Sequence, residues 1–163
     1  MAIDRVELEN TSDTVCVRQA TKADLSHVLR LYAQPELDDG QVLAIDEAER
    51  IFERMARYPD YKLYVAVTDA LIVGTFALLI MDNLGHLGAP SAIIEDVAVD
   101  PAWQGQGVGK AMMRHAIELA RQHGCYKAML SSNQKRARAH AFYESLGFVR
   151  HGYSFRVELH SNF

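Results

Sequence analysis

Cysteine is scarce in this chain. Cys16 and Cys125 are the only two in 163 residues. They lie far apart with no ligand partner nearby in sequence, which argues against a disulfide framework and a thiolate zinc site. No metal site is expected, and a reducing, cytoplasmic setting suits the composition. An excess of basic residues is also missing. The formal net charge is −4 and the isoelectric point is near 5.9, which argues against a general nucleic-acid binder. No apolar run approaches a membrane span. The N-terminal residues are too charged for a signal peptide. Repeats and low-complexity tracts are absent. What remains is 49% hydrophobic and 23% charged, enough apolar material for a full core. At this length a single domain over 1–163 is expected, with 1–13 a loosely ordered lead-in.

The periodicities alternate between two and 3.6. A first strand is expected at 14–20. Thr21 then caps a helix whose apolar face carries Leu25, Val28, Leu29 and Tyr32, with Asp24 as the acidic partner in its first turn. A second helix is expected at 46–58. The acidic connection between the two, around Asp38, Asp39, Gly40 and Gln41, is either a solvated loop or a specificity loop. Strands at 61–68 and 71–81 meet at the turn Asp69-Ala70 as a hairpin. A strand at 91–99 leads through a glycine-rich turn into a helix at 107–123, which Gly124 ends. A short strand at 127–131 completes a βαβ unit. A helix at 139–146 and closing strands at 148–149 and 153–159 follow. The expectation is an α/β (α+β) fold. Its sheet is mixed, mostly antiparallel and twisted, flanked by helices, and contains a central parallel βαβ unit.

The stretch from Asp96 to Lys110 is the chemically informative one. An apolar strand breaks at Asp100-Pro101, passes Gly105, Gly107 and Gly109, and becomes a helix. Glycines let a backbone approach a ligand closely. The first N–H groups of a helix, with its dipole, favour an anion. This is a phosphate cradle. A nucleoside-triphosphate loop requires Ser or Thr after Gly-Lys, and here Ala111 follows Lys110. A dinucleotide fingerprint requires a different glycine spacing near the start of a doubly wound fold. The pattern met is Q-x-x-G-x-G, through Gln104, Gly107 and Gly109. Before it stand Glu95 and Asp96; after it stand Asn133 and the run Ala-Phe142-Tyr143-Glu-Ser-Leu-Gly147-Phe148.

This ordered set resembles the GCN5-related N-acetyltransferase family over most of the chain, most strongly from Glu95 to Phe148. Within the family, Glu95-Asp96-Val-Ala-Val and the loop through Lys110 look like glucosamine-phosphate N-acetyltransferases. Asn133 with Lys135-Arg136 and His140-Ala-Phe-Tyr143 looks like aminoalkylphosphonate N-acetyltransferases.

The resemblance implies acetyl-CoA as cosubstrate and a small amine as acceptor, without nucleic acid, membrane or metal. It implies pyrophosphate contacts from Gln104, Gly105, Gln106, Gly107, Val108, Gly109 and Lys110. The backbone of Val97, Ala98 and Val99 would pair with the pantetheine, opposite Asn133, which is also placed to cap the next helix. Arg136, with Lys110, Arg114, Lys135 and Arg138, is a candidate for the 3′-phosphate. Ala139, Phe142 and Tyr143 line the cofactor from the following helix. Dimers are common among the relatives; the sequence leaves the oligomeric state open.

Transfer to an alkylamine poses two proton problems. With a lysine-like pKa, freeing the amine at neutral pH costs about 4–5 kcal/mol, so a carboxylate that takes this proton is useful. Glu95 is the first candidate and Asp96 the second. Neighbours on a strand point to opposite faces, so only one can serve unless a bulge intervenes. The departing thiolate needs a proton, and Tyr143 matches the family's donor. Its alternative is a core tyrosine. The Val97 N–H is a candidate oxyanion donor. His140, His151, Tyr153 and Arg156 are weaker candidates. The expected function is acetyl transfer to a primary amine of a small molecule by direct attack. A peptide or protein amine acetyltransferase and a non-catalytic acyl-CoA sensor are the alternatives.

Overall fold

The computed structural model describes residues 15–157 and 159; the lead-in expected at 1–13 lies outside the described residues. Five strands form one sheet in sequence order: β1 (Cys16–Gln19), β2 (Tyr61–Thr68), β3 (Leu71–Met81), β4 (Ser91–Val99) and β5 (Lys127–Met129). The first three pairings are antiparallel, and β4–β5 is parallel. Four helices accompany them: α1 (Leu25–Tyr32), α2 (Ile45–Met55), α3 (Val108–Gln122) and α4 (Ala137–Ser145). The sheet is thus mostly antiparallel, and the βαβ unit is built from β4, α3 and β5.

Local chemistry sets the element ends. The Thr21 N–H and hydroxyl both donate to the Asp24 carboxylate, at 2.7 and 3.0 Å. Arg18 closes a two-bonded fork on the same carboxylate, at 2.8 and 3.0 Å. One acid therefore ties β1 to the start of α1, and these donors hold it well below the usual carboxylate range, Arg18 first. In the β2–β3 turn, Asp69 and Ala70 both have positive φ, 46° and 63°, the twist that a two-residue hairpin requires.

The sheet separates two apolar layers. On one side Leu63, Val65 and Ala77 meet Leu25 and Val28 of α1, with Phe52 and Met55 of α2 beside them. On the other, Phe76, Leu78 and Ile94 meet Val108, Met112, Met113 and Ala116 of α3. Gly74 allows the second contact to be close: a β-carbon there would lie 2.5 Å from the Met112 sulfur and 3.1 Å from Val108.

The closing strands expected at 148–149 and 153–159 are not formed among the described residues. Phe148 packs against the α3-side core, and the described residues beyond it, 149–157 and 159, are exposed. The parallel pair consequently lies at the end of the sheet, with β5 as its edge.

Candidate active site

β3 and β4 pair in register up to Ala77–Glu95, and then resume at Thr75–Ala98. Asp96 and Val97 thus oppose the single residue Phe76, and Asp96 takes a positive φ of 51°. This is a β-bulge. It resolves the problem of neighbouring acids. Glu95 is registered with Ala77, whose side chain lies on the α1–α2 side. Asp96, on the bulge, acts on Tyr32 of α1 and on Tyr61. Both acids therefore serve the same face. Each keeps exposed surface, yet each carboxyl is pushed up, Glu95 by partial burial and then Asp96, and Asp96 by partial burial and then Asp38. Tyr32 is held far above the usual phenol range by burial first, then by Asp96. Tyr61 is raised by burial and both acids.

The opposite edge of β4 opens in the same region. Its pairs with β5 end at Ile93–Met129, while β4 continues to Val99. Beyond these pairs β4 runs on toward the glycine loop without a β5 partner. Asp100 accepts the Ala102 N–H at 2.8 Å and starts a short turn over Pro101–Trp103. Gln104 donates to the Val99 carbonyl at 3.3 Å, and Gln106 to that of Ala102 at 2.8 Å. Gly105 and Gly107 hold φ of 77° and 88°, with nothing within 4 Å of where a β-carbon would stand. Gly107 immediately precedes α3. Among the described residues, no backbone carbonyl accepts from the N–H groups of Gly105 to Lys110. A row of free donors at a helix start is an anion site in waiting.

From the third side comes α4. Tyr143 packs between Phe142, at 5.2 Å between ring centres, and Phe148, at 5.8 Å. Burial pushes its phenol up, and Arg136 draws it back slightly. Arg136 itself pairs with Glu36, in the connection between α1 and α2, at 2.7 Å. Asp96 on the bulge, Glu95 beside it, the edge unpaired with β5 and the free N–H row all follow β4 along its C-terminal half.

The chain matches the acetyltransferase (GNAT) family over residues 25–148. It belongs to that family. The GNAT match runs from the start of α1 to Phe148. Among relatives, the glucosamine 6-phosphate N-acetyltransferase of Trypanosoma brucei brucei is 41% identical over 88 residues, 54% of this chain and 58% of that protein. The chain thus aligns with little more than half of that relative. An aminoglycoside N(6′)-acetyltransferase of Stenotrophomonas maltophilia is 28% identical over 136 residues, 81% of this chain and 84% of that protein. A solved GNAT relative, a putative acetyltransferase from Agrobacterium tumefaciens, superposes with a TM-score of 0.83 at 36% identity, over 88% of this chain and 99% of that one.

Against this GNAT frame the expected residues divide by what their side chains do. Val108 and Ala98 have their side chains buried in the core, so only their backbone groups are available to a ligand. Gly109 lies under the Phe142 ring, where a β-carbon would come within 3.0 Å of Cζ. Lys110 is exposed. Lys110, Arg114, Lys135 and Arg138 form no ion pair among the described residues, whereas Arg136 is held by Glu36. Asn133 accepts the Lys135 N–H at its side-chain oxygen, 2.9 Å, and the Arg136 N–H at its backbone oxygen, 2.9 Å. Its carbonyl thus closes the turn into α4, and its amide NH2 takes no part in that turn. The residue that precedes α4 directly is Arg136, so Asn133 is a turn residue rather than the helix cap. His140 donates its Nε2–H to the Asn133 carbonyl at 2.9 Å. Ala139 is half-buried on α4. His151, Tyr153 and Arg156 lie on the exposed closing segment.

Four residues escape a reading of the sequence. Tyr32 and Tyr61 read as apolar-face and strand aromatics, and only the fold brings them to Asp96. Glu36 carries no signal beyond the acidity of its loop. The Ser132 hydroxyl, just past β5, is buried without a hydrogen-bond partner; its place beside Asn133 was the one available hint.

Proposed function

We propose that the protein is an acetyl-CoA-dependent N-acetyltransferase that acetylates a primary amine of a small molecule by direct attack. The observation that carries this reading is the continuous C-terminal half of β4. It presents two carboxyls on one side, an edge without strand partners on the other, and a row of free N–H groups at its end.

The donor groups fit acetyl-CoA. The N–H groups from Gly105 to Lys110 would hold its pyrophosphate with the helix dipole. Val97, Ala98 and Val99 would meet its amide-bearing arm in the manner of an added strand, with the Asn133 amide and the orphaned Ser132 hydroxyl at the facing strand end. Bound there, it supplies an acetyl thioester. Glu95 would take the ammonium proton, directly or through a water, with Asp96 as the second candidate. A carboxyl raised above its ordinary value is a better-matched base near neutral pH. The same acids, with Asp38, would attract the ammonium form of the acceptor. The Val97 N–H would face the negative charge that develops on the acetyl oxygen. Tyr143, protonated at neutral pH, would return a proton to the departing sulfur.

Relatives that act on glucosamine 6-phosphate and on aminoglycosides support amino sugars as the first acceptors to test. The experiment is thiol release from acetyl-CoA with amino sugars, polyamines, aminophosphonates, amino acids and peptides. Turnover with one of the small amines is expected. Tight acetyl-CoA binding without turnover on any amine would replace the reading with that of a sensor, and turnover confined to peptides with that of a protein amine acetyltransferase.

A further inference from the structure

Between α1, the start of β3 and the turn after β4 lies a cleft of about 400 Å³ that the proposed chemistry does not use. Its volume falls at the lower end of small-molecule sites, roughly 300–1,000 Å³. None of the residues assigned to acetyl transfer lines it. His27, Arg30, Leu31 and Gln34 recur at three- and four-residue spacing, so one stripe of α1, continued just past its end, forms a wall. Tyr32, which meets Asp96, stands outside that stripe. The apolar lining includes Leu31 and Val73, both buried, with Trp103 half-buried and Leu71 54% exposed.

The polar groups of the cleft are few, and they offer both signs of charge. Arg30 is exposed and makes no hydrogen bond or ion pair among the described residues. Its guanidinium carries five donors in a fork that suits a carboxylate. Asp100 accepts the Ala102 N–H with one oxygen, at 2.8 Å, which leaves the other. Gln34 donates its amide nitrogen to the carbonyls of Leu31 and Val99, at 2.8 and 3.2 Å. These two bonds hold the side chain and leave its amide oxygen as an acceptor. A plain anion in the cleft would meet Asp100, and a plain cation would meet Arg30. A ligand that carries both charges on a short stem, with an apolar body, leaves neither group opposed.

We infer that this cleft binds a small α-amino acid with an apolar side chain. Its carboxylate lies on Arg30, its ammonium on Asp100 and the Gln34 amide oxygen, and its side chain against Leu31, Val73 and Trp103. The apolar contact supplies burial, and the two charged contacts select for the zwitterion. Glu95 and Asp96 do not line the cleft, so the amino acid held there is a ligand and not the acetyl acceptor. The site stands whether or not the proposed acetyl transfer does.

Trp103 is the one tryptophan of the chain, so its emission reports on the cleft directly. The full chain is titrated with L-phenylalanine and L-leucine, without acetyl-CoA. A saturable change in Trp103 emission is expected with at least one of them. Hydrocinnamate, which lacks the ammonium, and phenethylamine, which lacks the carboxylate, should each bind about tenfold more weakly or worse. Arg30→Gln should weaken the amino acid by a similar factor. So should Asp100→Asn, which keeps an oxygen for the Ala102 N–H. Calorimetric titration repeats the comparison without relying on the tryptophan. Absence of binding by both amino acids overturns the inference, and so does hydrocinnamate binding as tightly as phenylalanine. Binding that survives Arg30→Gln but is lost in Asp96→Asn would place the amino acid at the acetyl-transfer site, and overturns it too.

Discussion

Gly109 and Phe142 are a matched pair. The ring on α4 lies where the glycine's β-carbon would be, 3.0 Å from Cζ, so the last glycine of the loop joins α3 to α4 as much as it serves a ligand. Gly109→Ala brings a gain of helix propensity of about 1 kcal/mol, opposed by overpacking of about 1–3 kcal/mol. A net loss of about 1 kcal/mol is expected in urea unfolding. The same change made in a Phe142→Leu background should cost less. Equal costs in the two backgrounds would show that the ring and the glycine are not coupled.

Tyr143 is held between two rings, one tilted and one edge-on, so Tyr143→Phe keeps the packing and removes only the hydroxyl. Under the proposed mechanism kcat falls by about 10²–10⁴-fold with the unfolding temperature nearly unchanged. Because burial raises the phenol, a limb on which activity falls with rising pH belongs above its ordinary range, near 10. The variant should lack that limb. An unchanged kcat removes Tyr143 from the chemistry.

Glu95 and Asp96 have raised carboxyl pKa values, and a base works only when ionised. Activity should therefore rise with pH along a limb displaced above the usual carboxylate range. Glu95→Gln should lower kcat/KM by about 10²-fold or more and abolish the limb if Glu95 is the base; the same result with Asp96→Asn instead would transfer the role. Asp38→Asn removes a like charge from Asp96. Any part of the limb that belongs to Asp96 should then move to lower pH, and a limb that does not move excludes Asp96 from it.

Asp24 serves stability. Its carboxyl, shared by Thr21 and Arg18, is depressed in the folded chain. A depressed acid contributes fully above its unfolded pKa, near 3.9, and that contribution is lost as pH falls through the folded value. Asp24→Asn should cost about 1–3 kcal/mol at neutral pH. Urea unfolding at a series of pH values should show the gap between variant and wild type narrowing only below the ordinary carboxylate range. A gap that stays constant down to strongly acidic pH would mean that the charge is not what matters.

The ends of β2, β3 and β4 are legible in the sequence because β-branched runs there abut Asp-Ala, Asp-Pro or glycine. The glycine loop is legible because its spacing is local. The bulge is not: nothing in an apolar run announces that Asp96 adopts a left-handed backbone, and it is this twist that turns two neighbouring acids toward one face. Nor can periodicity foresee that Tyr32, Tyr61 and Asp38, from three separate segments, converge on that acid. The closing segment is the reverse case. Its alternation predicts a strand, and none forms there among the described residues, because a strand also needs a neighbour, and alternation does not name one.

The parallel junction of β4 and β5 consists of three residue pairs, Ser91–Lys127, Ala92–Ala128 and Ile93–Met129. The described residues after α3 are tied to the rest by these rungs, by the Tyr126 N–H on the Pro90 carbonyl, by the Arg136–Glu36 ion pair and by the rings that α4 lays on Gly109 and the core. Detaching so short a ladder needs far less than global unfolding. The amides of β5 and α4 should consequently exchange with solvent well ahead of those in the β2–β3–β4 core. Such a pattern would mean that the side of the site that carries Tyr143 breathes while the side that carries Glu95 and Asp96 stays still.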